Sequence, residues 1–151
     1  MDITLKIGTR SETVQVPEAN LQGILTPNEV SVALTGEAEV RRALNEPIGT
    51  PRLRDIVHPG EKIAIITSDI TRPMPTWKVM PALLDELYDA GVKREDITLV
   101  FALGSHRCHT EEEQRHLAGD RAWSEITCVD GNTADCVHIG VTSRGTPVDI
   151  V

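Results

Sequence analysis

The apolar and polar positions along the chain form two patterns that predict β-strands. Residues 2–7 and 13–16 alternate apolar and polar side chains around a turn at residues 8–11, which predicts a β-hairpin with one buried face. Residues 62–67 and 97–103 are nearly continuous apolar runs. The first of these runs suits a strand that is covered on both faces, as in parallel sheets, and the second predicts another buried strand.

A predicted helix connects these two apolar runs. Pro73 and Pro75 suit the first turn of a helix, and apolar residues follow at helical spacing until Gly91. Pro81 lacks the amide hydrogen that a helix interior requires, so we expect a kink or a short first helix that ends near Val79. Together the two strands and the helix form a predicted β-α-β unit.

Capping residues predict two further helix starts. Residues 26–29, Thr-Pro-Asn-Glu, combine a hydroxyl cap, a proline and a glutamate, and predict a helix that breaks at residues 35–36 before a second piece over 37–45. Residues 110–113 form a capping box that opens a helix to about Ala118.

Three short strands complete the prediction; they cover residues 125–130, 137–141 and 147–151. The fold class is therefore α/β, with a Rossmann-like, mostly parallel sheet, flanking helices and an N-terminal β-hairpin. We expect residues 1–151 to form a single α/β domain. Because the sequence closes on a strand-like stretch, we also expect it to be a fragment of a longer protein.

Composition and charge exclude several classes of function. The 151 residues carry a formal net charge of −8, which argues against general binding of nucleic acid or of anionic membranes. No apolar run reaches the length of a membrane span, and the N-terminus lacks the apolar core of a signal peptide. The three cysteines contain no C-x-x-C pair and suit reduced thiols. These features predict a cytoplasmic protein.

Chemically active side chains follow both apolar runs, at the point where each predicted strand ends. Asp69 and Arg72 come directly after the first strand, and His106 and Arg107 follow the second. In open α/β sheets, ligands bind outside the carboxyl ends of the strands. Arginine can bind a carboxylate or phosphate with two hydrogen bonds, and histidine transfers protons near neutral pH. This rim is therefore a predicted half of an active site.

Plainer interpretations of the same residues remain open. Asp69 could cap the helix and pair with Arg72 on the surface, and His106 could be a loop histidine that only forms hydrogen bonds. Histidine and cysteine at positions 106, 108 and 109 lack the distant ligand pair of a structural zinc site. Neither a P-loop nor a G-x-G-x-x-G motif is present in the sequence.

Four motifs resemble those of a known family. TSDITRPMP, ALGSHR, EPIGTPRL and GVTSRGTPV, in this spacing, are similar to the N-terminal domain of the lactate racemase family. The members of this family are 2-hydroxyacid racemases and epimerases that depend on a nickel-pincer nucleotide. The resemblance implies the N-terminal half of a two-domain enzyme, whose partners are a small 2-hydroxy acid and its own C-terminal domain.

The resemblance also implies a role for individual residues. His106 matches a catalytic histidine that serves as base for the substrate hydroxyl, while hydride passes between the substrate's α-carbon and the cofactor. Asp69 and Arg72 match residues that line the cofactor and substrate site, and Thr71 and Arg107 lie in the same motifs. The cofactor is a nickel complex of pyridinium-3-thioamide-5-thiocarboxylic acid mononucleotide, attached through the C-terminal domain. No metal ligand is expected within residues 1–151, and the isolated fragment is expected to be inactive.

Two alternatives belong to other classes of function. The same rim could serve a non-catalytic module that binds anions or nucleotides. A hydrolase that uses His106 with Cys108 is weaker, since a cysteine two residues from its base in a loop rarely has productive geometry.

Overall fold

The computed structural model describes residues 1–72, 74–131, 134 and 136–151. Their contacts divide the chain into two compact units, Met1–Ala33 and Leu34–Val151. Each unit contains β-structure of its own, and the candidate site lies within the second.

The first unit contains the expected hairpin. Strand β1 (Asp2–Ile7) pairs antiparallel with β2 (Arg10–Gln15), which confirms the alternation seen in the sequence. Every residue of both strands except the half-buried Ile3 is exposed, so the prediction of a buried face was wrong. The alternation of apolar and polar residues predicted the strands correctly. A buried face also requires another element that packs on the apolar side of the hairpin.

The helix expected from residue 26 is not formed. Residues 21–35 have no regular secondary structure, and Leu25 is fully exposed. Capping residues satisfy only the first amides of a helix, whereas most helical stability in proteins comes from packing an apolar face. The second predicted piece is confirmed as helix α1 (Gly36–Asn45).

A three-stranded parallel sheet forms the centre of the second unit. Strands β3 (Ile63–Ser68), β4 (Ile97–Ala102) and β5 (Thr127–Asp130) lie in the order β3-β4-β5. With the helices and the N-terminal hairpin, this sheet confirms the predicted mixed α/β fold class. An antiparallel hairpin of β6 (Val137–Val141) and β7 (Pro147–Ile150) follows.

Three helices pack on one face of this sheet. They are α2 (Thr76–Asp89), α3 (Glu111–Ala118) and α4 (Asp120–Glu125). The core contains alternate residues of β4 and the apolar sides of the helices; its largest fully buried members are Phe101, Met80, Leu84, Leu87, Ile97 and Leu99. Helix α3 begins with the predicted capping box, in which Thr110 and Glu113 bond each other's backbone amides.

The opposite face of β3 is not covered. Ile63 and Ile65 pack against the core, while Ile66, the residue after Ile65, points to the other face and is 73% exposed. The prediction that β3 is covered on both faces was therefore wrong. A continuous apolar run shows that a strand can be buried on either side, but only the position of the helices decides which side is buried.

Helix α2 runs through Pro81 without ending near Val79, so the expected early end was wrong. Pro81 removes the one hydrogen bond that would reach the Trp77 carbonyl. The helix nevertheless buries Met80, Leu84 and Leu87 completely, and this packing outweighs one lost bond.

A buried carboxylate fixes α2 to the segment before β3. The Glu86 side chain is 7% exposed and binds Arg52 and Arg54, each at 2.6 Å. The Arg54 guanidinium, against the opposing effect of burial and together with Arg52, lowers the pKa of Glu86 to about 2. Because the pKa of Glu86 falls on folding, its stabilisation is complete above its ordinary pKa near 4.5 and is lost as pH falls toward 2.

We predict that Glu86→Gln lowers the free energy of unfolding at pH 7 by about 2 kcal/mol, since hydrogen bonds to charged groups contribute about 1.5–3 kcal/mol. Urea unfolding between pH 7 and pH 3 measures both the loss and its expected decline toward acid. Glu95→Gln is the control, because the Glu95 side chain is 70% exposed and lies 4.0 Å from Lys93. Equal losses in the two variants would contradict the prediction.

Candidate active site

Two turns form the candidate site at the carboxyl edge of the parallel sheet. Strands β3 and β4 end level with each other, since Ser68 pairs with Ala102. The turn after β3 closes when the Arg72 amide donates to the Asp69 carbonyl at 3.1 Å. The turn after β4 passes through Gly104 at φ +58°, a backbone conformation that glycine adopts without strain.

These turns bring Asp69 and His106 into contact. The Asp69 carboxylate is 4% exposed and forms a short hydrogen bond with His106 Nδ1. Its other oxygen accepts from the Thr71 hydroxyl at 2.8 Å, and that hydroxyl lies 3.4 Å from His106 Nδ1. The His106 side chain remains 42% exposed, so the imidazole joins a buried carboxylate to the open surface.

Asp69 is held as a carboxylate. Burial opposes its ionisation, but the hydrogen bonds from His106 and Thr71 outweigh burial and lower the pKa of Asp69 below its ordinary value. An ionised carboxylate only accepts hydrogen bonds, so His106 donates from Nδ1. In neutral His106, Nε2 then carries the lone pair and can accept a proton.

An open cleft of about 610 Å³ contains this pair. Its lining includes the ends of β3 and β4, Arg72, Met74 and the turn from Gly104 to His106. The Arg72 side chain has no hydrogen-bond or ion-pair partner in the part of the chain that the structure describes. Its guanidinium is therefore available to an anionic ligand.

The other two predicted site residues are placed differently. Thr71 contacts Asp69 and His106 from within the first turn but is not part of the cleft lining. Arg107 is absent from the lining and instead forms a two-bond ion pair with Glu113 at 2.7 and 2.8 Å. The structure thus brings Asp69, Thr71, Arg72 and His106 together and leaves Arg107 outside the group.

Two further residues support the site; Asp130 was not singled out from the sequence, and His109 was considered there only as a zinc ligand. The His109 side chain is fully buried, its Nδ1 lies 2.6 Å from Asp130, and its Nε2 accepts from the Ile70 amide at 3.0 Å. Asp130 ends β5, just as Asp69 follows β3. That shared position at the carboxyl edge was the available signal in the sequence.

The described residues, 1–72, 74–131, 134 and 136–151, contain no group of three or more histidine, cysteine, aspartate or glutamate side chains that could hold a metal ion. Within the same residues, no helix is both long and apolar enough to cross a membrane. Cys128 is half-buried, and burial raises the pKa of its thiol to about 11, which makes it a poor nucleophile.

Taken with its parallel sheet, this site defines an α/β domain whose polar rim lies at the carboxyl ends of the strands. The profile of the lactate racemase N-terminal domain matches residues 7–151. The chain therefore belongs to the lactate racemase family, as its four motifs indicated.

Individual relatives agree with this assignment. The chain is 36% identical over 121 residues to a lactate racemase of Thermoanaerobacterium thermosaccharolyticum and 32% identical over 113 residues to that of Lactiplantibacillus plantarum. The alignments cover 79% and 74% of this chain, but only 28% and 26% of those proteins. The structure of the lactate racemase apoprotein from T. thermosaccharolyticum matches with a TM-score of 0.77 at 32% identity, over 99% of this chain and 35% of that one.

We predict that Asp69→Ala changes the tautomer of His106. Without the carboxylate acceptor, the Nδ1–H form loses its support, because the partner of one ring nitrogen sets which nitrogen carries the proton. ¹⁵N NMR of histidine-labelled protein measures the tautomer at a pH where His106 is neutral. Asp120→Ala, at an exposed carboxylate paired with Arg115, is the control. An unchanged His106 tautomer in Asp69→Ala would exclude the proposed pair.

Proposed function

We propose that this chain is the N-terminal catalytic domain of a racemase or epimerase that interconverts the stereoisomers of a 2-hydroxy acid. The observation that carries the proposal is the Asp69–His106 pair, which shares one cleft with the unpartnered Arg72. Lactate is the proposed substrate, because the similar proteins are lactate racemases. The chain spans little more than a quarter of those relatives, so the activity is proposed for the whole protein.

His106 is the proposed general base for the substrate hydroxyl. Its Nε2 accepts the hydroxyl proton while the hydrogen on the α-carbon leaves as hydride, and the resulting imidazolium is stabilised by the adjacent Asp69 carboxylate. In the reverse direction the imidazolium returns the proton to the keto oxygen. The buried carboxylate keeps the ring oriented through both steps, because its Nδ1 bond is present in both protonation states.

Arg72 is the proposed anchor for the substrate carboxylate. A guanidinium can donate two parallel hydrogen bonds to a carboxylate, which fixes the orientation of the α-carbon as well as its distance. Arg72 lies on the turn that contains Asp69, so the anchor and the carboxylate that orients the base are held by one short segment. Thr71 stabilises this turn through its bond to Asp69.

The nickel-pincer nucleotide is the proposed cofactor of the whole protein. The cleft volume suits a small ligand, and Arg72 and the strand-end turns offer donors to an anionic group. On this proposal the chain would contact the cofactor without ligating nickel. When bound, the cofactor would supply the hydride acceptor and donor that this interconversion requires. A second domain of the same protein is the proposed source of the metal ligands, and a cytoplasmic location belongs to the same proposal.

We predict that His106→Ala in the whole, cofactor-loaded protein lowers kcat at least about 100-fold in both directions, since a positioned general base contributes roughly 10²–10⁴. Racemisation of each lactate isomer, followed by chiral analysis, measures the loss. His58→Ala is the control, because His58 is exposed and precedes β3, at the opposite end of that strand. Unchanged turnover in His106→Ala would refute the catalytic role.

A second prediction distinguishes the role of Arg72 in substrate binding from that of Arg107. Arg72→Ala should raise KM for the 2-hydroxy acid about 10- to 100-fold, because a charge-assisted hydrogen bond contributes about 1.5–3 kcal/mol. Arg107→Ala should raise KM less than about threefold, since Arg107 pairs with Glu113 outside the cleft. Steady-state kinetics of both variants provide the test. A larger effect at Arg107 would assign the anchor to that residue instead.

The non-catalytic alternative predicts a different result. A module that only binds anions would retain Arg72-dependent binding of lactate, measured by calorimetry, while the cofactor-loaded protein showed no turnover. Turnover that is lost in His106→Ala and kept in His58→Ala excludes this alternative.

A further inference from the structure

A second histidine–aspartate pair lies next to the proposed catalytic pair. The His109 side chain is 1% exposed, and its ring makes a T-shaped contact with that of Phe101, with centroids 5.4 Å apart. Its partner Asp130 stands at the end of β5, directly across from Phe101 on β4. The His109 imidazole is therefore buried and has a polar partner at each of its two ring nitrogens.

The contacts of His109 define its tautomer. The Ile70 backbone amide can only donate, and it points at His109 Nε2 over 3.0 Å, so Nε2 is an acceptor without a proton. The ring proton therefore lies on Nδ1, which donates to Asp130 over 2.6 Å. The other Asp130 oxygen accepts from the His109 backbone amide at 2.7 Å. Both oxygens of this carboxylate thus face donors of the same residue.

These bonds connect all three strand ends of the sheet. Asp130 belongs to β5, His109 to the loop that follows β4, and Ile70 to the turn that follows β3. Ile70 is the immediate neighbour of Asp69, and His109 lies three residues after His106 in the same loop. The His109 imidazole therefore links the turn that contains Asp69 to the loop that contains His106.

We propose that His109 is a positioning residue: in the Nδ1–H tautomer fixed by Asp130, it holds the Ile70 amide and thereby sets the geometry of the Asp69–His106 pair. His109 is not part of the cleft lining, and it acts on the site through the turn that contains Ile70. The kinetic consequence rests on the proposed function, whereas the tautomer and the held amide do not.

Asp130→Asn tests this with little change of shape. Asparagine has a single side-chain oxygen, whereas His109 presents two donors. Because the His109 backbone amide can only donate, we expect the asparagine oxygen to remain bonded to that amide. The side-chain NH₂ then faces Nδ1, which must become an acceptor. The ring proton moves to Nε2, where it opposes the Ile70 N–H, and the bond to the turn is lost.

The experiment uses the whole protein with three measurements. ¹⁵N NMR should show the His109 tautomer reversed, and hydrogen exchange in short peptides spanning residues 68–72 should become at least about tenfold faster. Racemase kcat should fall about 10- to 100-fold with KM within about threefold, as expected when an orienting partner of a functional histidine is lost. His109→Phe, which keeps a ring but neither bond, should repeat the exchange and kinetic effects.

A matched control exists on the hairpin of β6 and β7. His138 Nδ1 lies 2.8 Å from Asp149, and both side chains are about half exposed. Asp149→Asn makes the same chemical change at a surface pair, and should leave exchange at residues 68–72 and kcat unchanged. Equal effects in Asp149→Asn and Asp130→Asn would overturn the proposal.

Other outcomes also decide the question. Unchanged exchange at residues 68–72 in both Asp130→Asn and His109→Phe would overturn the proposal. Faster exchange spread through β4 and α2 would overturn it too, because His109 would then support the whole fold rather than the turn. If the unmodified protein has no racemase activity, the proposed function fails, while the tautomer and exchange measurements still decide the positioning role.

Discussion

The candidate site depends on one buried carboxylate. Asp69 follows β3 directly, is almost fully shielded from solvent, and keeps its charge because Thr71 and His106 both donate to it. A charge in such a place is costly unless it is paired and hydrogen-bonded, so the two turns must meet in one arrangement. The exposed imidazole is oriented by this requirement, and the guanidinium of Arg72 lies in the same cleft because it belongs to the same turn.

The parallel sheet explains why these groups meet. Its strands run in one direction, so the polar ends of β3, β4 and β5 lie at the same edge, and the helices packed on one face leave that edge open. The charged residues that stabilise the helical layer are therefore different from those that form the site. Glu86 and its arginines fix α2 within the helical layer, while Asp69 and Asp130 organise the turns that follow the strands.

The sequence predicted those features that depend on neighbouring residues. Strand positions, the capping box at Thr110 and the shared rim of Asp69 and His106 all follow from short patterns. The helix expected at residue 26 failed because capping cannot replace packing. The direction of Arg107 is decided by Glu113 on the following helix, and the role of His109 was missed because its partners lie 39 and 21 residues away. Contacts over such distances are set by the fold and leave no local pattern.

The central claim is that His106 and Arg72 receive a 2-hydroxy acid together, and a crystal structure of the whole protein with bound lactate tests it most directly. The account predicts that the substrate hydroxyl lies about 2.6–3.2 Å from His106 Nε2, within reach for proton transfer, and that the carboxylate contacts the Arg72 guanidinium. A lactate bound elsewhere, or bound in this cleft with its hydroxyl turned away from His106, would contradict it.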